Sequence, residues 1–374
     1  MNENIRLRYI CTIETGDHDT QDAEKDGIYP FYVRSPIIER SNTSTFNGPG
    51  ILIAGDGAGA GRIFHNVEGE YAVHQRVYRL ANFSSKVNKD FLFYSISNRF
   101  PAIMDMGSAQ STVPSVRLPM LKNFTVYLPS PTEQQQIVHF LDRKCTAIDT
   151  AIEKTKKSIE KLEEYKKAVI TKAVTKGIDP NTRMKDSGVE WIGEIPEGWE
   201  ITRNKFYVII SHGMDPKTEG DIPVYGSGAE SFKSCGEYKE GPAVLLGRKG
   251  ATLHIPHYIT GKYWNVDTAF DVKTKSEDMG LKYFYFLSMC FNYNYYIAKT
   301  TLPSMTQFDY CNMRIPLPSR KEQDIIVSYI EDKCVAIDTA IEKKKKAIEK
   351  WEEYKKSLIY YAVTGKIDCR NEVI

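Results

Sequence analysis

Residues 128–179 recur as residues 317–368 at a constant offset and without a gap. About two thirds of the aligned positions are identical, so this chain folds the same long segment twice. Lys144-Cys145 returns as Lys333-Cys334, and the blocks 147–154 and 163–167 return as 336–343 and 352–356. The segments in front of each copy share only a skeleton. GILIAGDGA at 50–58 faces PAVLLGRKGA at 242–251, and Pro114-Ser115 faces Pro303-Ser304. A constant element behind a variable region, twice over, describes two different surfaces carried on one pseudo-symmetric frame.

At 374 residues the chain exceeds one ordinary domain and can bury two cores. Its seven cysteines (Cys11, Cys145, Cys235, Cys290, Cys311, Cys334, Cys369) are odd in number, scattered and free of any C-x-x-C pair. That pattern argues against a disulfide scaffold or zinc ribbon and suits a reducing cytoplasm. No leader-like or membrane-spanning run occurs, so a cytoplasmic protein with no membrane partner is expected. The net charge is +2, and residues 1–127 balance 13 basic against 13 acidic side chains while residues 181–318 balance 15 against 16. A protein gripping nucleic acid unaided is usually more basic.

Each repeat opens with a capping box, Ser130 with Glu133 and Ser319 with Glu322. Pro131 suits a first helical turn, and Gly177 and Gly365 mark the ends. A helix of about 45 residues would span roughly 65 to 70 Å. Propensity alone cannot hold such a helix, so its apolar stripe needs a partner. Leu141, Cys145, Ile148, Ile152, Thr155, Ile159, Leu162, Lys166, Val169 and Ala173 step by four and three, as a heptad seam does. Ile330, Cys334, Ile337, Ile341, Lys344, Ile348, Trp351, Lys355, Leu358 and Ala362 repeat it. Nearly identical seams pair most simply with each other, antiparallel, about an approximate two-fold axis. The seam lysines weaken that core but can fix register. The charged outer faces at 154–157 and 343–346 fit either a solvated surface or a docking face for another subunit.

The variable regions, with short apolar runs, frequent glycine and many aromatics, read as α+β. The expected organisation is therefore two globular mixed α/β domains at 1–129 and 201–318, helices at 130–178 and 319–367, a junction segment at 179–200 and a tail at 368–374. The junction segment has no copy in front of the first region, where residues 8–16 align with 205–213. The glycine-rich stretch 55–61 does not match the spacing of G-x-G-x-x-G and lacks the Gly-Lys-Ser/Thr ending of a P-loop, so it reads as a turn. Arg62, Arg248 and Lys249 there could meet phosphate. The histidines form no H-E-x-x-H or H-x-E pattern, no G-x-S-x-G elbow occurs, and no Asn/Asp-Pro-Pro-aromatic tetrapeptide of an amino-methyltransferase is present. No metal site and no catalytic residue are expected.

MKDSGVEWIGEIPEGW at 184–199, LPSPTEQQQIVHFLDRKCTAID at 128–149, LPSRKEQDIIVSYIEDKCVAID at 317–338 and YPFY at 29–32 resemble the specificity subunits of type I restriction-modification enzymes over essentially the whole chain. The resemblance implies a non-catalytic DNA-binding subunit. Two target-recognition domains would each read half of a split sequence on double-stranded DNA, separated by helices that form an antiparallel coiled coil. Two methyltransferase subunits would dock on those helices, bring the S-adenosylmethionine that this chain itself does not bind, and methylate adenine. Restriction and translocation subunits would complete the complex.

The residues agree with this without depending on it. Helices of that length would act as a ruler between sites one to two turns apart, at ~34 to 36 Å per turn, and adenine flipped into a partner's pocket needs no catalytic group here. The candidate DNA contacts are loop residues flanking the shared skeleton. They are Arg62, His65, Ser108, Gln110, Ser111 and Thr112 in the first domain, and Arg248, Lys249, Thr252, His254, Thr300, Thr301 and Gln307 in the second. Each also fits an ordinary exposed loop. The rival readings are a self-contained methyltransferase or nuclease, which lacks its motifs, and a coiled-coil adaptor without DNA recognition, which leaves the divergence of the two regions unexplained.

Overall fold

The computed structural model describes residues 3–107, 114–228, 230–297 and 303–369. The chain forms two compact units that do not follow its linear order: residues 1–156 with 345–374, and residues 157–344. Each unit thus combines one variable region with the first part of its own long helix and the last part of the other. None of the helices among the described residues is long and apolar enough to cross a membrane.

In the first unit an antiparallel sheet runs in the spatial order Thr12–Thr15, Val77–Ala81, Gly50–Ala54, Phe64–Val67. GILIA at its centre is buried at every position, which is why that strand reads as an unbroken apolar run rather than an alternation. A second sheet orders Ile38–Ser41, Tyr29–Tyr32, Glu70–Val73 and Phe46–Asn47, with a parallel pairing between its two middle strands. Helix Lys89–Gly107 supplies Phe91, Leu92, Ile96 and Phe100 to the core. Glu3–Arg6 pairs with Thr125–Leu128, the strand that leads into the long helix.

The second unit repeats this plan. Its sheets run Val208–His212, Ala269–Thr274, Ala243–Gly247, His257–Ile259 and Lys233–Cys235, Ile222–Tyr225, Lys262–Asn265, Lys239–Glu240, and Glu200–Arg203 pairs with Arg314–Leu317. The equal plan hides opposite charges. Buried Arg79 donates from Nε to the Tyr71 hydroxyl at 2.8 Å and pairs with Glu14. At the matching register position stands buried Asp271, which accepts from the Tyr263 hydroxyl at 2.8 Å and pairs with Lys239 at 3.1 Å. The frame tolerates either sign because each buried charge has its own counter-ion and hydrogen bonds.

The long helices are Pro131–Lys176 and Arg320–Val363. Gly177 and Gly365 follow them with φ of 73° and 69°, the left-handed ending that glycine adopts without a Cβ clash. The Ser130 and Ser319 hydroxyls accept from the Glu133 and Glu322 amides at 3.3 and 3.4 Å. Inside the first unit the helix segments run antiparallel: Ile148 and Ile152 share a core with Leu358 and Ala362, and Asp149 binds Lys355 at 2.7 Å. Inside the second, Ile170 and Ala173 share a core with Ile326 and Ile330, and Lys166 binds Asp338 at 2.7 Å. The repeat carries Asp149 onto Asp338 and Lys166 onto Lys355, so one ion pair is made twice with its partners exchanged. Because these side chains are partly exposed, Asp149→Lys is expected to cost up to about 1 kcal/mol. The double variant Asp149→Lys with Lys355→Asp should recover it, as measured by denaturant unfolding of all three forms.

Leu141, Ile148, Ile152, Val169, Ile330, Ile337, Ile341 and Leu358 of the stripe are buried, and Ile159, Leu162 and Ile348 are half-buried. Trp351 departs from the expectation: it is 40 % exposed, its ring edge-on to Tyr354. An indole can cover apolar surface from the rim and keep its N–H in water.

A feature that periodicity does not reveal joins each helix to its globular region. Gln134 is fully buried; its Nε2 donates to the carbonyls of Pro129 and Lys86 at 2.8 and 2.9 Å, and its Oε1 accepts from the Asn88 amide at 2.7 Å. Gln323 does the same with Pro318, Asp278 and the Gly280 amide at 3.0, 2.7 and 2.8 Å.

Candidate nucleic-acid interface

The strand Gly50–Ala54 leaves its sheet into Gly55, whose amide donates to the Arg76 carbonyl at 2.8 Å and whose carbonyl accepts from the Val116 amide at 2.7 Å. Asp56 then bridges Ser115. In the second unit the Arg248 amide donates to Thr268 at 2.7 Å, its carbonyl accepts from Met305 at 2.9 Å, and Lys249 bridges Ser304. The same backbone rim is therefore built twice, next to Pro114-Ser115 and Pro303-Ser304.

Its side chains are different. Asp56 takes Arg34 Nη1 at 2.9 Å and Arg76 Nη1 at 2.8 Å. Burial pushes the Asp56 carboxyl up, but the hydrogen bonds and charges of the two guanidiniums overcome this and hold it below its ordinary range. The Arg76 amide donates to His74 Nδ1 at 3.0 Å, which fixes that ring's tautomer with the proton on Nε2. In the second unit two cations replace the acid, and Arg248 Nη1 reaches the carboxylate and carbonyl of Asp267 at 3.1 Å. One rim presents a carboxylate clamped by a guanidinium pair, the other a single guanidinium held by Asp267 and an ammonium. Guanidinium forks suit phosphate and guanine edges, and a carboxylate suits the cytosine amino group.

The sequence candidates fall unevenly on this rim. Arg248 and Lys249 sit on it. Arg62 is exposed and paired with Asp105, Thr252 is half-buried, and His254 is exposed beside them. Two residues expected in loops are held by secondary structure. His65 lies in the strand Phe64–Val67, its Nε2 3.2 Å from the Ser35 carbonyl and its ring 5.0 Å from that of Tyr32. Gln307 opens the helix Gln307–Asn312 and donates its amide to the Ile210 carbonyl. In both cases local polarity was outweighed by pairing with a distant strand. Ser108, Gln110, Ser111, Thr112, Thr300 and Thr301 lie outside the described residues. Sequence reading missed Arg34, Asp56, Arg76 and Asp267, since Arg76 reaches Gly55 only through the register of Ala54 with Val77. Among the described residues no group of three or more His, Cys, Asp or Glu is placed to hold a metal.

Burial pushes His65, His74 and His257 below the ordinary histidine value, and His257 Nε2 is buried without a hydrogen-bond partner. A depressed folded pKa contributes stability that is complete above the unfolded value, ~6.5, and is lost as pH falls through the folded one. Unfolding midpoints are therefore expected to fall from pH 7.5 to 5.5, with a shallower slope in His257→Asn. An unchanged slope in that variant would remove His257 from the account.

Residues 2–164 and 196–350 match the family model described as the type I restriction modification DNA specificity domain. The chain belongs to that family. It is a specificity subunit of a type I restriction-modification system, a non-catalytic component. It is 26 % identical to the type I restriction enzyme MjaVIII specificity subunit of Methanocaldococcus jannaschii, covering 94 % of this chain and 88 % of that one. It is 24 % identical to the EcoDI specificity subunit of Escherichia coli over 54 % of this chain and 44 % of the relative. A structure described as the basis of complex assembly and conformational transition of the type I R-M system superposes with a TM-score of 0.74, 14 % identity and 98 % coverage of both chains. The HsdS subunit from Thermoanaerobacter tengcongensis superposes at 0.53, with 14 % identity over 98 % and 97 %.

Proposed function

We propose that each unit reads one half of a bipartite target on double-stranded DNA, the rim at Asp56 and its counterpart at Lys249 approaching base edges. The observation that carries this reading is the rim itself: one backbone frame built twice, with acid and cation exchanged upon it. A scaffold that only held partners would have no use for that difference. The long helices set the spacing and dock two methyltransferase subunits, which bring S-adenosylmethionine and methylate adenine at N6; restriction follows when the nuclease and translocase subunits join. Near-neutral units fit this division, since partners clamping the DNA supply phosphate contacts and leave these surfaces to specify sequence.

Co-expression with the cognate methyltransferase subunit, followed by methylome sequencing, tests it. A split motif methylated in both halves, and lost when this chain is omitted, is the expected result. A stable complex that leaves no motif would favour an adaptor role in its place.

A further inference from the structure

Behind each rim stands a tight turn. In the first unit the Val77 amide closes it by donating to the His74 carbonyl at 2.9 Å, and the His74 amide ties it to the Tyr32 carbonyl at 3.0 Å. In the second unit Ala269 donates to Val266 at 3.1 Å and Val266 to Tyr225 at 3.0 Å. Val266 therefore stands where His74 does, and Thr268 where Arg76 does. The Arg76 and Thr268 carbonyls both accept from the rim, from the Gly55 and Arg248 amides at 2.8 and 2.7 Å. Arg76 also sends its side chain onto Asp56 at 2.8 Å, whereas Thr268 has no charge to aim.

The two turns differ again at their first residue. The His74 side chain is buried, and its Nδ1 accepts from the amide of Arg76, two residues on, at 3.0 Å. The ring proton is then on Nε2, 3.4 Å from both the Asp19 carboxylate and the Thr20 hydroxyl. Asp19 is itself fixed, accepting from the Thr20 amide at 2.7 Å and from the Gln75 side chain at 2.9 Å. A side-chain acceptor that reaches an amide two residues on holds a turn in one conformation. Val266 offers no acceptor, and its turn has no guanidinium to place. Only the neutral imidazole can accept in this way; protonation would set an N–H against the Arg76 N–H. The charged or titratable groups facing the ring are Asp19, Arg34, Arg76 and, across the Phe31 ring, His18. Burial first, and then the Arg34 charge, favour the neutral form against the pull of Asp19.

We propose that His74, braced by Asp19, is a positioning residue for the first half-site, a role that rests on the rim's reading of base edges. The neutral ring sets the turn, the turn sets the Arg76 guanidinium on Asp56, and the oriented carboxylate selects the base. His74 acts only through Arg76.

The test is competition binding by the complex of this chain with the cognate methyltransferase subunit. A labelled duplex carrying the methylated motif competes with duplexes changed at single positions of the first half. In the parent, discrimination at one such position is expected to fall about tenfold from pH 7.5 to pH 5.0, because the neutral ring is lost as pH drops through a value below ~6.5. His74→Asn, whose side-chain oxygen can accept the same amide without titrating, should keep the discrimination at both pH values with His18 and His65 still in place. His74→Leu should lack it at both, while all three proteins discriminate alike in the second half at pH 7.5. A parent pH profile that matches that of His74→Asn overturns the role. So does an equal loss in His74→Asn and His74→Leu, since the ring would then only fill space. Should His74→Leu fail to fold, the parent and His74→Asn profiles decide alone. Unchanged discrimination in Arg34→Ala with Arg76→Ala would sink the rim reading and His74 with it, whereas a change there with none in His74→Leu sinks His74 alone.

Discussion

Replacing Arg248 and Lys249 together by alanine is expected to relax one half of the methylated motif and leave the other half intact. A bidentate contact to a base edge discriminates by about 1 to 3 kcal/mol, roughly tenfold to more than a hundredfold between right and wrong base. Loss of Arg248 should therefore appear in the methylome as new sequences accepted at one position of one half-site. Arg34→Ala with Arg76→Ala in the first unit should do the same to the other half, because Asp56 loses both guanidiniums that orient it. The pattern separates the two ways a cation can serve DNA. A uniform loss across all sequences, with a shallower dependence on salt, would place these residues on phosphates. A motif unchanged in both halves by both double variants would remove the rim from recognition altogether.

Gln323→Leu should lower the unfolding free energy by about 3 kcal/mol. The leucine keeps most of the volume but strands the Pro318 and Asp278 carbonyls and the Gly280 amide, which all depend on this amide group. Each buried backbone group left unpaired costs ~1 to 3 kcal/mol, partly relieved where water can reach it. For a unit of this size that corresponds to a melting temperature lower by about 6 to 12 °C. Gln134→Leu should act alike in the first unit. Hydrogen exchange would show the Gln323 variant opening around residues 278–280 and the start of the second helix while the Lys89–Gly107 region keeps its protection. Equal melting temperatures for the variant and the parent would mean that water replaces the amide in full.

The order of these helices, their ends and the duplication were legible in the chain because each rests on local chemistry. A serine and a glutamate three residues apart start a helix, a glycine at positive φ ends it, and a stripe stepping by four and three requires a partner. The stripe also located positions that are buried or half-buried, with Trp351 as the exposed exception, since spacing registers that a residue is apolar and not whether its ring can rest at a rim. The absence of catalytic motifs and the contrast between constant helices and divergent regions were readable for the same reason.

What the sequence by itself determined, then, was that two related regions are joined by two matching helices, and through that resemblance the family. Tertiary structure alone decided which residues meet. Strand register set Arg76 beside Gly55, Arg79 beside Tyr71 and Asp271 beside Tyr263, and antiparallel pairing joined Asp149 to Lys355 and Lys166 to Asp338. It also drew His65 and Gln307 into strand and helix contacts where their polarity had suggested free loops. These are contacts between residues far apart in sequence, whose free energy depends on geometry that no local pattern encodes.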